Sequence, residues 1–325
     1  MKRVTRVVRK HLRALMSAFD LALLDLFGSS QRRPVFILGP ARSGTTLVYQ
    51  AIYHSGKWCS FSNLEERYFF LANTVALLTS PIRPRVPADF SSVYGKTVGW
   101  FNIAQGSRIW GQYLPPRYPD CSLDELSARD VRLLRKLPGL RERCSGAPLL
   151  SKWPGFAANP WLLPEIYPDA YFAIVTRDVL DNALSVLKGR EVLVGDTRKS
   201  ISRVAPGYRK YIHEDDFTLC AAYVITCASE LDAFAQRYQE RVATCQYELF
   251  CADPKGWLAS FYDRYDGSAP DVRDIPDAFS TKARRADANE EKMRAAIEYV
   301  AGREAESGRS REASSARSTE RGAEL

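Results

Sequence analysis

Histidine and paired cysteine are nearly absent from this sequence, which removes the usual components of a metal centre. The chain has three histidines in 325 residues, and none of its cysteines form a C-x-x-C pair. Zinc sites in proteins are built from closely spaced Cys and His ligands, so we expect no metal. The seven cysteines are an odd number, and with no recognisable signal peptide they favour free thiols in a cytoplasmic protein.

The sequence also lacks a concentrated basic stripe, and its N-terminal apolar stretch is too short and too charged to cross a membrane. A membrane-spanning helix needs about 20 mostly apolar residues, whereas the stretch from Ala14 to Phe27 is interrupted by Asp20 and Asp25. The net charge of +8 attracts anions such as nucleotides, acidic substrates or a membrane surface. Outside the N-terminus the cations are dispersed among acidic residues, so we expect no binding of nucleic acid.

The two ends of the chain differ from its middle, and we predict three parts. These are a basic amphipathic segment over 1–33, a domain over 34–301 and a disordered tail over 302–325, which is poor in large apolar residues. Two roles stay open for the first segment: a helix lying on the inner face of an anionic membrane, or a helix packing its leucine-rich face on the domain. Its cations are Lys2, Arg3, Arg6, Arg9, Lys10 and Arg13.

The sequence also contains a phosphate-binding loop that lacks its usual lysine. Gly39 and Gly44 keep the spacing of the pattern G-x-x-x-x-G-K-[ST] after the apolar run 35–38, but Thr45 stands where the lysine belongs. Glycine lets backbone N–H groups surround an anion at the start of a helix, whereas the lysine reaches the β- and γ-phosphates. We therefore predict that the loop binds an anion other than the triphosphate of ATP, with Arg42 as its cation.

The loop resembles that of the sulfotransferase family, whose members read R-S-G-T-T or K-S-G-T-T after a first strand. The resemblance implies that this loop binds the 5′-phosphosulfate of 3′-phosphoadenosine 5′-phosphosulfate, the sulfuryl donor of the family. The implied donor-binding residues are Arg42, Ser43, Gly44, Thr45 and Thr46.

A second segment supports the resemblance. Residues 171–175 are β-branched, aromatic and apolar, and after the turn 176–178 the pattern predicts a helix over 179–190. Arg177 would lie at the carboxyl edge of a parallel sheet, where such sheets bind ligands. Arg177 and Ser185 keep the eight-residue spacing of the family's 3′-phosphate motif, although Val179 replaces its usual proline.

Two further stretches are similar to family elements. Lys152 follows a short apolar strand, as does the family lysine that contacts the bridging oxygen of the leaving phosphate. Tyr247 begins a segment similar to the family's Y-E-D-L element, which implies a place near the adenine. The alternative, a tyrosine packing on the sheet, stays open.

The catalytic base is less clearly marked. Pro154 occupies the position at which the cytosolic branch of the family has histidine. Other branches use a glutamate some twenty residues after the loop, which indicates Glu66, with Glu65 as its rival. We expect His54 to be structural.

These patterns predict a P-loop-like three-layer α/β/α sandwich with a central parallel sheet. The resemblance implies sulfuryl transfer, without metal, to a hydroxyl or amine of a small-molecule, glycan or lipid acceptor, with Glu66, Arg42 and Lys152 as the catalytic residues. Residues 58–146 and 190–213 are expected to shape the acceptor pocket or a lid. Two alternatives remain: a P-loop kinase, and a non-catalytic nucleotide-binding protein associated with membrane.

Overall fold

The computed structural model describes residues 2–27, 30, 32–84, 86–280 and 289–322. The side chains of residues 2–10, 27 and 307–322 lie outside the description. Most of the cations of the predicted basic segment 1–33 are among these side chains, and the end of the predicted tail, 323–325, also lies outside the described residues.

Four parallel strands form the central sheet, in the order β2-β1-β3-β4. They are β1 Val35–Leu38, β2 Leu150–Lys152, β3 Tyr171–Thr176 and β4 Val242–Gln246. Their carboxyl ends lie at one edge, and the loop 39–44, Lys152 and Arg177 stand at or directly after these ends. This edge is where the sequence predicts a ligand.

The α-helices complete the architecture. Within the described residues they are α1 Lys2–Phe27, α2 Thr45–His54, α3 Asn63–Arg67, α4 Ala72–Thr79, α5 Ser107–Trp110, α6 Ala128–Ser145, α7 Leu162–Ile166, α8 Val179–Val194, α9 Asp216–Arg237, α10 Tyr247–Ala252, α11 Pro254–Asp266 and α12 Glu290–Gly322.

Both faces of the sheet are covered, and the two central strands, β1 and β3, are accordingly apolar almost throughout. Phe36 and Leu38 belong to the core built with α6, α8 and α9, while Val35 and Ile37 belong to the core built with α2 and α11. A parallel sheet buried on both faces reads as such a continuous apolar run. The predicted three-layer sandwich with a central parallel sheet is confirmed.

The helix α1 packs on the domain through one side. Asp20 is buried, and its carboxylate accepts hydrogen bonds from the backbone N–H groups of Asn73 and Thr74 at the start of α4. Leu24 is fully buried. Another set of apolar side chains on α1 is exposed, namely Leu12, Leu15, Phe19 and Leu26. The packing role therefore fits this helix, and contact with a membrane stays a prediction.

The helices α9 and α12 show that composition alone is a poor guide to their environment and extent. By length and composition alone α9 could cross a membrane, but most of it is buried in the protein, as in a core helix. The helix α12 runs to Gly322, so the tail predicted as disordered from residue 302 is helical as far as it is described. Glu304 accepts hydrogen bonds from Lys210 and Tyr211, contacts that composition alone does not reveal.

Candidate active site

Two glycines allow the loop between β1 and α2 to close tightly. A Cβ on Gly39 would lie 2.7 Å from the carbonyl oxygen of Val175. Gly44 has φ +96°, and a Cβ there would lie 2.1 Å from the ring of Tyr247. Any larger residue at either position would displace its neighbours, and at Gly44 it would also be strained. Tyr247 thus packs directly on the loop.

Arg42 projects from the same loop and has an unusual backbone conformation, with φ 72°. Its Nε donates a hydrogen bond to Ser185 Oγ at 3.2 Å, and its guanidinium lies 5.3 Å from the ring centre of Tyr94. A left-handed conformation at a residue other than glycine is uncommon and clusters at functional sites. Burial, and secondarily the charge of Arg177, lowers the pKa of Arg42.

Arg177 joins β3 to the loop. Its Nη1 donates a hydrogen bond to the carbonyl oxygen of Arg42 at 3.1 Å, and its guanidinium lies 5.1 Å from the ring centre of Tyr247. Its Nε is buried without a hydrogen-bond partner among the residues that the structure describes, and so is the hydroxyl of Ser43. Buried polar atoms are normally satisfied, so these two donors suit an anionic ligand.

Two helices hold the peptide before Arg42. The N–H of Ala41 donates to the hydroxyl of Tyr223 on α9 at 2.8 Å, and Asn182 on α8 donates to the Ala41 carbonyl at 2.9 Å. Sequence reasoning missed both side chains, because Tyr223 and Asn182 lie within helical patterns that predict only core or surface.

Lys152 is the last residue of β2, where it pairs with Ile37 of β1, and it is only 1% exposed. It has no ion-pair partner among the residues that the structure describes. Burial is the main cause that lowers the pKa of Lys152 to about 7, and the nearby charge of Arg42 adds to it. A buried amine in this state gains its charge readily when an anion comes close.

One cleft of about 470 Å³ is lined by side chains from all of these elements, among them Arg42, Thr46, Tyr94, Lys152, Arg177 and Tyr247. The segment 92–96 forms one wall, and the Thr46 hydroxyl donates to the Gly95 carbonyl at 3.2 Å. Leu193, Val194, Ser200 and Ile201, within the stretch expected to form a lid or acceptor pocket, form another wall of this cleft.

Glu66 lies in a second cavity, of about 450 Å³. Its Oε1 accepts hydrogen bonds from the Ser107 hydroxyl at 2.8 Å and from the backbone N–H of Arg108 at 3.0 Å. Its Oε2 is buried without a hydrogen-bond partner among the described residues. The cavity and the cleft share five lining residues, Thr46, Gly95, Lys96, Gln105 and Lys152. Glu66 and Lys152 therefore line connected spaces.

Its rival Glu65 is occupied elsewhere. Its carboxylate forms a buried ion pair with Arg141 and accepts hydrogen bonds from the backbone and hydroxyl of Ser62, which cap α3. His54 lies at the far end of α2 among aromatic rings. Neither residue lines the cleft or the second cavity.

Comparison with known proteins then decides the family. The sequence model of the sulfotransferase family matches residues 34–271, which is most of the chain. This protein belongs to the sulfotransferase family. No curated protein matches the sequence significantly.

Solved sulfotransferases match this family member at low sequence identity. A Mycobacterium avium sulfotransferase matches at 15% identity and TM-score 0.47 over 74% of this chain, which spans 65% of its length. A Mycobacterium tuberculosis H37Rv sulfotransferase matches at 13% identity and TM-score 0.48, covering 74% and 68% of the two chains. An Alicyclobacillus acidocaldarius sulfotransferase matches at 16% identity and TM-score 0.43, covering 84% and 94%. We base the family assignment on the sequence match alone.

The chemistry of this sulfotransferase site is cationic. Arg42, Lys152 and Arg177 surround the cleft, and no acidic side chain is found among its described lining residues. Within the described residues, no group of three or more His, Cys, Asp and Glu side chains is placed to hold a metal ion.

The contrast between the two glutamates predicts different effects on stability. Glu65→Gln leaves Arg141 buried without its counter-ion, which should lower the free energy of unfolding by about 3–5 kcal/mol. Glu66→Gln removes a carboxylate with one unsatisfied oxygen, so its effect should stay below about 1 kcal/mol. Urea denaturation of both variants measures the difference. A destabilisation at Glu66 as large as that at Glu65 would contradict these roles.

Proposed function

We propose that this protein transfers a sulfuryl group from 3′-phosphoadenosine 5′-phosphosulfate to a hydroxyl or amine of an acceptor. The observation that carries the proposal is the connection between the cationic cleft and the Glu66 cavity at Lys152. A donor in the cleft and an acceptor in the cavity would meet beside the amine of Lys152.

The unsatisfied donors of the cleft support the choice of donor substrate. We assign the 5′-phosphosulfate to Arg42 and the loop 43–46, and the 3′-phosphate to Arg177 and Ser185. An arginine fork donates paired hydrogen bonds to phosphate, and Arg177 Nε is buried and free to do so. Tyr247 packs on Gly44 and beside Arg177, so its ring suits a position near the base or sugar of the nucleotide.

In the proposed reaction, a new bond to sulfur forms as an S–O bond of the donor breaks. The acceptor oxygen or nitrogen bonds to sulfur, the bond to the bridging oxygen of the donor breaks, and the electron pair goes to the leaving phosphate. Arg42 and Lys152 stabilise the charge that develops there, as preorganised cations do in phosphoryl transfer. Glu66 takes the acceptor proton on Oε2, while Ser107 and the N–H of Arg108 hold its other oxygen.

The structure gives little support to the kinase alternative. The side chain of Thr45, which stands in the place of the kinase lysine, is buried beside Gly39. The hydroxyl of Thr46, a candidate magnesium ligand, is hydrogen-bonded to Gly95. A non-catalytic role is the second alternative, and measurable turnover separates it from the proposal.

Donor binding should depend on both arginines. Arg42→Ala and Arg177→Ala each remove a charge-assisted contact worth about 1.5–3 kcal/mol, so affinity for adenosine 3′,5′-bisphosphate should fall about ten- to a hundredfold. Isothermal titration calorimetry measures this, with Arg129→Ala, an exposed arginine on α6, as the control. Unchanged affinity in both variants, with the fold intact, would reject the donor site.

Lys152 should make donor binding depend on pH. Its low pKa means that the amine is charged below pH 7 and neutral above it in the free protein. An anion favours the charged amine, so affinity for adenosine 3′,5′-bisphosphate should fall about tenfold from about pH 7 to about pH 8.5, where the phosphates no longer titrate. Calorimetry across this range tests it.

The control for the pH dependence is Lys152→Met, which keeps the length and apolar stem of the side chain but cannot be protonated. This variant should bind adenosine 3′,5′-bisphosphate more weakly at pH 7, and its affinity should not change with pH. If the affinity of the wild-type protein is also independent of pH, Lys152 does not contact the donor as proposed.

Glu66→Gln should abolish transfer without affecting donor binding. Loss of a general base costs about 10² to 10⁴ in rate, while the amide keeps the shape of the carboxylate. We would measure kcat with an acceptor found by screening, together with affinity for adenosine 3′,5′-bisphosphate. Near-normal kcat in Glu66→Gln would place the base elsewhere.

A further inference from the structure

The Glu66 cavity carries more positive charge than proton transfer requires. Among its described lining residues are four cations, Arg67, Lys96, Arg108 and Lys152, against Glu66 as the acidic side chain. Lys152 serves the leaving phosphate in the proposed function. The other three cations have no part in it.

None of these three cations forms an ion pair with a residue that the structure describes, whereas Arg132 and Lys136 elsewhere share Asp25 at 3.1 and 3.0 Å. The guanidinium of Arg108 lies 4.1 Å from the ring centre of Phe69, which fixes its plane without compensating its charge. A cleft lined by charges of one sign concentrates ligands of the opposite sign.

The backbones of both arginines also lie next to the base. Arg67 directly follows Glu66 at the end of α3, and Arg108 donates its backbone N–H to the Glu66 carboxylate from α5. An anion held by these guanidinium groups would have the rest of its molecule beside Glu66 Oε2. Paired N–H donors of arginine match a carboxylate or a phosphate.

We propose that the acceptor is itself an acid, a hydroxyl compound whose carboxylate or phosphate binds Arg67 and Arg108 while its hydroxyl reaches Glu66. This inference rests on the proposed function, because it assigns the Glu66 cavity to the acceptor. Lys96 contributes to the attraction from the rim that the cavity shares with the donor cleft.

Two matched pairs of probes test the proposal on protein saturated with adenosine 3′,5′-bisphosphate. One pair is methyl β-D-glucuronide and methyl β-D-glucoside, and the other is glycerol 3-phosphate and glycerol. Since the arginines are partly solvated, calorimetry should show at least one acid binding about five- to tenfold more tightly than its neutral partner. The pair with the larger ratio indicates whether the carboxylate or the phosphate is preferred.

Matched variants identify the cause of that preference. Arg67→Ala with Arg108→Ala should remove the preference for the acid while affinity for adenosine 3′,5′-bisphosphate stays within about twofold, a factor worth only about 0.4 kcal/mol. Arg129→Ala with Arg135→Ala removes the same charge from the exposed surface of α6 and should retain the preference.

Equal affinities within both pairs, including no measurable binding of either acid, would overturn the acidic acceptor. A preference that survives in Arg67→Ala with Arg108→Ala, or disappears equally in the control variant, would also overturn it. Failure of the wild-type protein to bind adenosine 3′,5′-bisphosphate would instead reject the proposed function, so the two failures are distinguishable.

Discussion

The site depends on one electrostatic constraint: three cations converge where adjacent parallel strands end, and the cleft they line holds no acidic side chain among its described residues. Burial is the main cause that lowers the pKa of Lys152 and of Arg42, and repulsion between neighbouring charges adds to it, from Arg42 on Lys152 and from Arg177 on Arg42. Such mutual repulsion persists only where the surrounding fold enforces it, and an anionic ligand relieves it. The buried Arg177 Nε without a partner points to the same kind of ligand.

Contacts with the surrounding helices explain how the fold holds these cations close to one another. The backbone before Arg42 is held by Tyr223 and Asn182, on two different helices, so contacts within the protein fix this part of the loop. The adjacent glutamates also have different surroundings. Glu65 caps α3 and pairs with Arg141, and this anchoring directs the next residue, Glu66, toward the cavity. Glu65 thus contributes to stability, while Glu66 is left for the proton transfer that we propose.

Much of the donor cleft could be predicted from the sequence, because its signals are local. The strand before Gly39 and the strand before Arg177 are apolar runs followed by recognisable turns, and parallel pairing brings their ends together. The roles of Glu65 and Glu66 could not be separated, because their partners Arg141 and Ser107 lie some forty to seventy-six residues away. The helical continuation through Glu304 was missed for the same reason, since it depends on contacts with Lys210 and Tyr211.

The most direct test of the account compares the two donors in one assay. The protein is incubated with a pool of hydroxyl compounds and either 3′-phosphoadenosine 5′-phosphosulfate labelled in its sulfate or ATP labelled in its γ-phosphate, with excess EDTA or with magnesium. We expect labelled product from the sulfate donor, at rates that EDTA changes less than about twofold, well under the tenfold that 1.4 kcal/mol would give. Transfer of label from ATP that requires magnesium, with none from the sulfate donor, would contradict the account.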